Sequence, residues 1–224
     1  MGAFGTFFGL TFSALLPLIN PLGSALIFLG LVGAAPSGFY RQLARRIAIN
    51  TTLFLILIEA LGTVLLKFFG ISLPVMQLSG GIVLAAIGWN TLNQKEPDPG
   101  DEVHKRNALG DADLASLESK AFYPLTFPIT AGPGCIVVMV TLSAHASAKS
   151  VVFDVTAHAG IAVAVALLSV SVYFCYGYAQ AITRRVKATT VQGILRVIAF
   201  VLMCIGVQIA WNGAEVLLKS LVRT

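Results

Sequence analysis

The sequence predicts an all-α membrane protein, with six transmembrane helices in a 3+3 inverted repeat and helices 1 and 4 broken at Pro/Gly motifs. Three observations carry this reading: too little charge for water, apolar runs long enough to cross a bilayer, and a Pro-Leu-x-x-Pro pattern in each half. Of the 224 residues, 57% are hydrophobic and 11% charged, with a mean hydropathy of +0.86. Soluble domains draw about a quarter of their residues from Asp, Glu, Lys and Arg. A chain with less than half that share cannot cover its surface for water, which excludes a soluble enzyme and a disordered scaffold. A nucleic-acid binder is excluded as well, because the 15 basic residues behind the net charge of +5 lie between apolar blocks rather than along one stripe.

The six spans are expected near 4–33, 47–66, 72–93, 122–145, 152–178 and 193–217. The first lies in a run with no charged residue before Arg41. The second holds only Glu59, and the third falls between Ile71 and Gln94, where no charge occurs. The fourth and fifth sit in the charge-free stretches Ala121 to Ala148 and Val155 to Thr183, and the sixth covers Val197 to Ala214. Each approaches or exceeds the roughly 20 residues that cross about 30 Å of hydrocarbon. They are too long and too uniformly apolar for the alternating strands of a membrane barrel, so they read as helices. Met1 to Phe4 has no basic segment ahead of the apolar run, so the first helix is expected to be retained rather than cleaved as a signal.

Lys and Arg alternate between the two sides: the first, third and fifth loops hold ten, the opposite loops and tail four. That bias puts the odd loops in the cytoplasm and both termini outside, in the periplasm. The third loop is the one long polar stretch, with Pro97-Asp98-Pro99-Gly100 marking an irregular linker. The chain therefore divides into residues 1–94, a first three-helix repeat; 95–120, a solvated cytoplasmic linker; and 121–224, a second three-helix repeat. With three helices per half, successive halves enter from opposite sides, as in many secondary transporters.

The repeat is most visible where Pro17-Leu18-Ile19-Asn20-Pro21 aligns with Pro124-Leu125-Thr126-Phe127-Pro128. A proline lacks a donor and clashes with the carbonyl one turn earlier, so paired prolines near glycines open a helix. In hydrocarbon the freed groups need partners, and such breaks commonly line a cavity. A half-helix is expected to begin at Pro21 and again at Pro128, each presenting amides that suit a carboxylate. The candidate solute contacts are Asn20, Pro21, Gly23, Ser24, Thr126, Thr130, Gly132 and Gly134. The alternative for all of them is a packing kink.

Glu59 lies two thirds of the way along the second span. A carboxylate there is paired, protonated or facing a wet cavity, and could load and release a proton between the two sides or serve structure alone. His158, early in the fifth span, is the other candidate coupling group; a structural hydrogen bond is its alternative. The sequence has no zinc-protease, hydrolase-elbow or phosphate-loop motif, and His104, His145 and His158 are unclustered, so no enzyme, metal or cofactor is expected. Cys135, Cys175 and Cys204 read as core residues.

At these residues the sequence resembles the MarC family of six-span bacterial inner-membrane proteins, grouped with neutral amino acid transporters. The resemblance runs almost the whole chain and is carried by Leu15-Leu16-Pro17-Leu18-Ile19-Asn20-Pro21-Leu22, Phe69-Gly70-Ile71-Ser72-Leu73-Pro74, Ser79-Gly80-Gly81, Pro128-Ile129-Thr130-Ala131-Gly132-Pro133-Gly134, Gly206-Val207-Gln208 and Asn212-Gly213. Gly23-Ser24-Ala25 stands where the amino acid transporting branch tends to carry a second proline, and Gln77 where relatives often have Arg. The resemblance implies a multi-pass inner-membrane protein and suggests neutral amino acids as substrates. The function expected is a secondary transporter or exporter of small polar solutes, coupled to H+ or Na+, with the bilayer, the solute and a second copy of the chain as partners. A non-transporting membrane protein, such as a sensor or assembly factor, is the alternative.

Overall fold

The computed structural model describes residues 2–32, 35–93, 118–146, 151–181 and 188–222, and every regular element among them is a helix. Helices α1 (Ala3–Ile19) and α2 (Pro21–Val32) make the first span, α3 (Ser37–Phe68) the second and α4 (Leu73–Leu92) the third. The wide-turned π-type segment α5 (Ala121–Thr130) and α6 (Pro133–Ala146) make the fourth, followed by α7 (Val151–Gly177) and α8 (Ala188–Val222). Ala3–Leu29, α3, α4, α7 and Arg196–Leu221 are each long and apolar enough to cross a membrane, and the bent α5 and α6 pair counts as a sixth if taken as one span. Most of the linker expected at 95–120 lies outside the described residues; Glu118 at its end bonds to Arg46 on α3 at 3.0 Å.

The apolar exterior fits lipid. On α3, Leu53, Leu57, Leu61 and Val64 recur at helical spacing and are 44–64% exposed, while Leu43, Ile47 and Leu55 on the opposite face are fully buried. A continuous apolar stripe of that kind is a liability in water and the normal surface in hydrocarbon. The main core gathers α1, α2, α3, α6 and α7 around Leu15, Ile19, Phe28, Ile47, Met139 and Ile161.

At the corner between α3 and α4 the chain turns on Gly70, whose φ of 66° is left-handed. Its N–H returns to the Lys67 carbonyl at 3.1 Å and that of Ile71 to the Leu66 carbonyl at 2.9 Å, closing the end of α3. Pro74 then stands in the first turn of α4, where its missing N–H costs nothing.

Helix α4 packs chiefly on α8, backbone against backbone. A Cβ on Gly81 would strike Ala210 N and Gly206 O, and one on Gly206 would strike Ala85 N and Gly81 O. Gly88 meets Ala199 and Met203, while Gly213 meets Pro74 and Leu78. The partners run in opposite order along the two helices, so the pair is antiparallel. Small residues permit this approach, which is what drives helix association where lipid removes the hydrophobic gain.

Both expected interruptions are present, but they differ. Asn20 is a single left-handed residue (φ 43°, ψ 65°), a conformation that asparagine tolerates, and Ala3–Leu29 continues across it as one span. The second interruption bends the chain by 70°. The half-helix expected at Pro128 begins instead at Pro133. Tyr123 (φ −118°, ψ 123°) and Phe127 (φ −116°, ψ 127°) are both extended, because a residue before proline is pushed out of the helical region. Two such residues four apart prevent regular helix until Gly132 has passed, and Pro133 then takes the first position, as Pro21 does in α2.

Gly81→Ala is therefore expected to lower the stability of the purified protein by about 1–3 kcal/mol through overpacking against backbone. Gly5→Ala, where nothing stands within 4 Å of the added Cβ, should leave the melting temperature unchanged or higher. Equal melting of the two variants would show that the α4 and α8 contact does not need its glycines.

Candidate functional site

At each interruption a hydroxyl bonds a backbone carbonyl five residues back, in three places in all. Asn20 Oδ1 accepts the Gly23 N–H at 3.1 Å, capping α2. That N–H is the one that would otherwise have bonded the Ile19 carbonyl in a regular helix, so the Ser24 hydroxyl donates to Ile19 O instead, at 2.6 Å. In α5, Thr126 Oγ1 donates to Ala121 O and Thr130 Oγ1 to Leu125 O, both at 2.7 Å. All three hydroxyls reach five residues back. At Ile19 the hydroxyl replaces the diverted Gly23 N–H, and an unpaired carbonyl in hydrocarbon costs several kcal/mol; at Ala121 and Leu125 it adds to the long i+5 backbone bonds of the wide turn.

The two interruptions meet at a phenol. Tyr176 of α7 lies 2.8 Å from Thr130 Oγ1 and within hydrogen-bonding reach of Ser24. Since Thr130 and Ser24 both donate to carbonyls, the single Tyr176 O–H proton is the one left for this contact, and it goes to one of the two hydroxyl oxygens at a time. Phe28 of α2 stacks on the Tyr176 ring at 4.6 Å between centroids and fixes it there. The centre is packed rather than open: Ser24 is 5% exposed, and Thr126 and Thr130 not at all. Pro21, Gly23 and Gly134 are buried and Gly132 half-buried. A Cβ on Gly134 would press on Leu84 and Leu18, so this glycine lets α6 approach α4 and α1. A Cβ on Gly132 would stand 3.1 Å from the Pro128 carbonyl. Phe54 of α3 faces Phe127 at 5.6 Å and closes the outer side of the bend.

Glu59 and His158, read separately from the sequence, are partners: the carboxylate of Glu59 on α3 bonds directly to Nδ1 of His158 on α7. The Glu59 side chain is 11% exposed and that of His158 33%. Glu59 lies nine residues before the end of α3 at Phe68, so the pair sits about 13 Å inside that end of the bundle. Ser143 of α6 donates to the Glu59 backbone carbonyl at 2.7 Å, tying the bent span to the same level. A carboxylate at this depth is tolerated because a polar partner replaces water. The bond ties α3 to α7 at this level.

The profile of MarC family integral membrane proteins matches residues 5–218. The chain belongs to the MarC family. It is 30% identical over 214 residues to proteins named UPF0056 inner membrane protein MarC in Escherichia coli O1:K1 / APEC, Escherichia coli (strain K12) and Shigella flexneri, covering 95% of this chain and 96% of each relative. No solved structure matches.

In this MarC family chain, the sequence reading found the hydroxyls at the breaks but missed Tyr176 and Ser143. Tyr176 carried a signal, since a phenol within a charge-free span needs a hydrogen-bond partner. Ser143 carried none, because serine bonds locally in most helices, as Ser79 does here to Val75 O.

Thr130→Val should cost about 1–3 kcal/mol, because it takes a second hydrogen bond from the Leu125 carbonyl and the 2.8 Å partner from the buried Tyr176 hydroxyl. Tyr176→Phe leaves Thr130 on its carbonyl and should cost about 1 kcal/mol. Thermal unfolding of the purified variants gives the order, and the reverse order would remove Thr130 as the group that closes the bend.

Proposed function

We propose that this protein is a secondary transporter or exporter of small polar solutes in the bacterial inner membrane, with neutral amino acids the first class to test. The observation that carries the reading is the meeting of two interrupted helices at one hydroxyl centre, with Ser24 and Thr130 sharing Tyr176. Interrupted spans that face each other inside a bundle are the usual seat of solute binding in transporters built from inverted repeats. Support for the repeat comes from the antiparallel packing of α4 against α8, the third helix of each half, across Gly81 and Gly206. The basic residues of the odd loops support a cytoplasmic position for those loops and an external one for both termini. The relatives' printed names support the inner membrane.

In the conformation described, the centre is shut. Admission of a solute requires α2 and α6 to part, which exposes the Ser24, Thr126 and Thr130 hydroxyls and the first turns after Asn20 and Gly132. An α-carboxylate suits those first turns, and the hydroxyls suit an ammonium group, which fits a neutral amino acid. Glu59 and His158 join α3 to α7, so a proton taken by Glu59 removes the charge that holds the two helices together at that level. This supports a proton as the coupling ion, with Na+ as the other to test.

One observation favours a non-transporting role, such as a sensor or assembly factor: every break hydroxyl already has a backbone partner. Proteoliposomes separate the two readings. Transport predicts uptake of at least one neutral amino acid driven by a pH gradient, and Glu59→Gln should abolish the dependence on the gradient while folded protein remains abundant. Gradient-driven uptake unchanged in Glu59→Gln would take Glu59 out of coupling. Neither flux nor thermal stabilisation by any amino acid or small metabolite, under proton and sodium gradients, would overturn transport itself.

A further inference from the structure

At the opposite end of α3 from Phe68 lies a feature the transport reading does not use. Helix α3 is 32 residues long, about 48 Å, and some 18 Å longer than the hydrocarbon it crosses. Counting about 20 residues back from Phe68 brings the membrane boundary to Ala48. Arg41, Arg45 and Arg46 therefore stand at the level of lipid headgroups. Arg46 is engaged by Glu118, which also accepts from Gln42 Nε2 at 2.7 Å. Among the described residues, no carboxylate pairs with Arg41 or Arg45. The stem of Arg41 is laid over α7, its Cγ 3.4 Å from where a Cβ on Gly177 would stand.

Two grooves meet here between α3 and α7. The outer, of about 750 Å³, is lined by Arg41, Gln42, Arg45 and Arg46; the inner, of about 520 Å³, is lined by Ala48, Thr52, Ala166 and Val170. Arg45, Ile49 and Tyr173 line both, so the two are one trough, cationic at its mouth and apolar below. From Arg41 to Thr52 it runs about 16 Å along the helix. Ser169 lines the inner part, is 3% exposed, and its hydroxyl has no hydrogen-bond partner among the described residues. Elsewhere in α7, Thr156 and Ser171 both bond to backbone carbonyls of the preceding turn; Thr11, Thr51 and Thr141 on other helices share the state of Ser169 but line neither groove. A buried hydroxyl without a partner carries a desolvation cost that an incoming oxygen would remove.

We propose that this trough is a binding site for one anionic phospholipid: the phosphate at Arg41 and Arg45, a glycerol-ester oxygen at Ser169, and an acyl chain along Ile49, Ala166 and Val170. Each part of the trough selects one part of that molecule. Two guanidiniums that pair with no carboxylate among the described residues select a net negative headgroup over a zwitterion, and basic pockets between transmembrane helices are known to take such headgroups. The apolar lower half selects a chain-bearing phosphate over a free one. Tyr173, where the two halves join, is the amphipathic residue that favours this interfacial depth.

Native mass spectrometry of the full chain in non-ionic detergent tests the site with phosphatidylglycerol, phosphatidylcholine and inorganic phosphate as probes. A single phosphatidylglycerol should be retained in preference to phosphatidylcholine, and inorganic phosphate should not displace it. Replacing both Arg41→Gln and Arg45→Gln should weaken retention roughly thirtyfold. Ala166→Phe fills the lower trough on an exposed face, so the fold is kept and all charges remain; it too should weaken retention, whereas Val163→Phe, exposed on α7 outside the trough, should not. Equal retention of the two lipids, displacement by inorganic phosphate, or full retention by Ala166→Phe would each overturn the proposal. The readout needs no transported solute, so its outcome stands apart from that of the liposome assay.

Discussion

Hydrocarbon offers backbone groups no water to bond with, and the rest of this structure depends on how that constraint is met where the helices break. Prolines at 17, 21, 124, 128 and 133 remove donors from two of the six spans. The chain does not leave the carbonyls around the breaks to a cavity. Ser24, Thr126 and Thr130 each reach back five residues to one, and Asn20 folds its own side chain onto the Gly23 amide. Because the hydroxyls carry these bonds, the interruptions can be buried in the centre of the bundle, where Tyr176 joins one to the other. A site closed by its own backbone bonds opens only by exchanging them for bonds to something else, which is the chemical basis for expecting a polar solute there.

The bundle uses two different means of association. Around the breaks, bulky side chains such as Leu15, Phe28 and Met139 interlock. Between α4 and α8, glycine removes side chains altogether and lets backbones touch. The first arrangement fills space around an irregular backbone and can be repacked. The second holds two straight helices at a separation that any added methyl group would change. Two kinds of contact are thus built from different residue types, with the Glu59 and His158 pair joining α3 to α7 among the bulky side chains.

Much of the fold was legible. The six spans appeared because charge is excluded from hydrocarbon whatever the tertiary arrangement, and the helices fall close to the expected boundaries except α3, which begins at Ser37, ten residues before the span expected at 47–66, because a helix can continue past the hydrocarbon into the headgroup layer. Asn20 was legible as a break because a helix residue before proline is sterically compromised. The start of the second half-helix was misread at Pro128, since alignment with Pro21 treated matched letters as matched geometry. The extended Tyr123 and Phe127 make the later Pro133 the true counterpart. Of the candidate site, the hydroxyls were visible as residue types, but their carbonyl partners were not, because which carbonyl is freed depends on where the helix restarts.

The sequence by itself determined the solvent, the number of spans, and the places where the backbone must find unusual hydrogen bonds, because each follows from local composition or from proline's missing N–H. Only the tertiary structure decided which groups answer one another. Glu59 and His158 are 99 positions apart, Thr130 and Tyr176 are 46 apart, and Arg41 lies over Gly177. Nothing in hydropathy or spacing pairs such residues. Helix packing does, because two spans must first lie side by side before a carboxylate can meet an imidazole, two broken helices a phenol, or two guanidiniums an apolar trough.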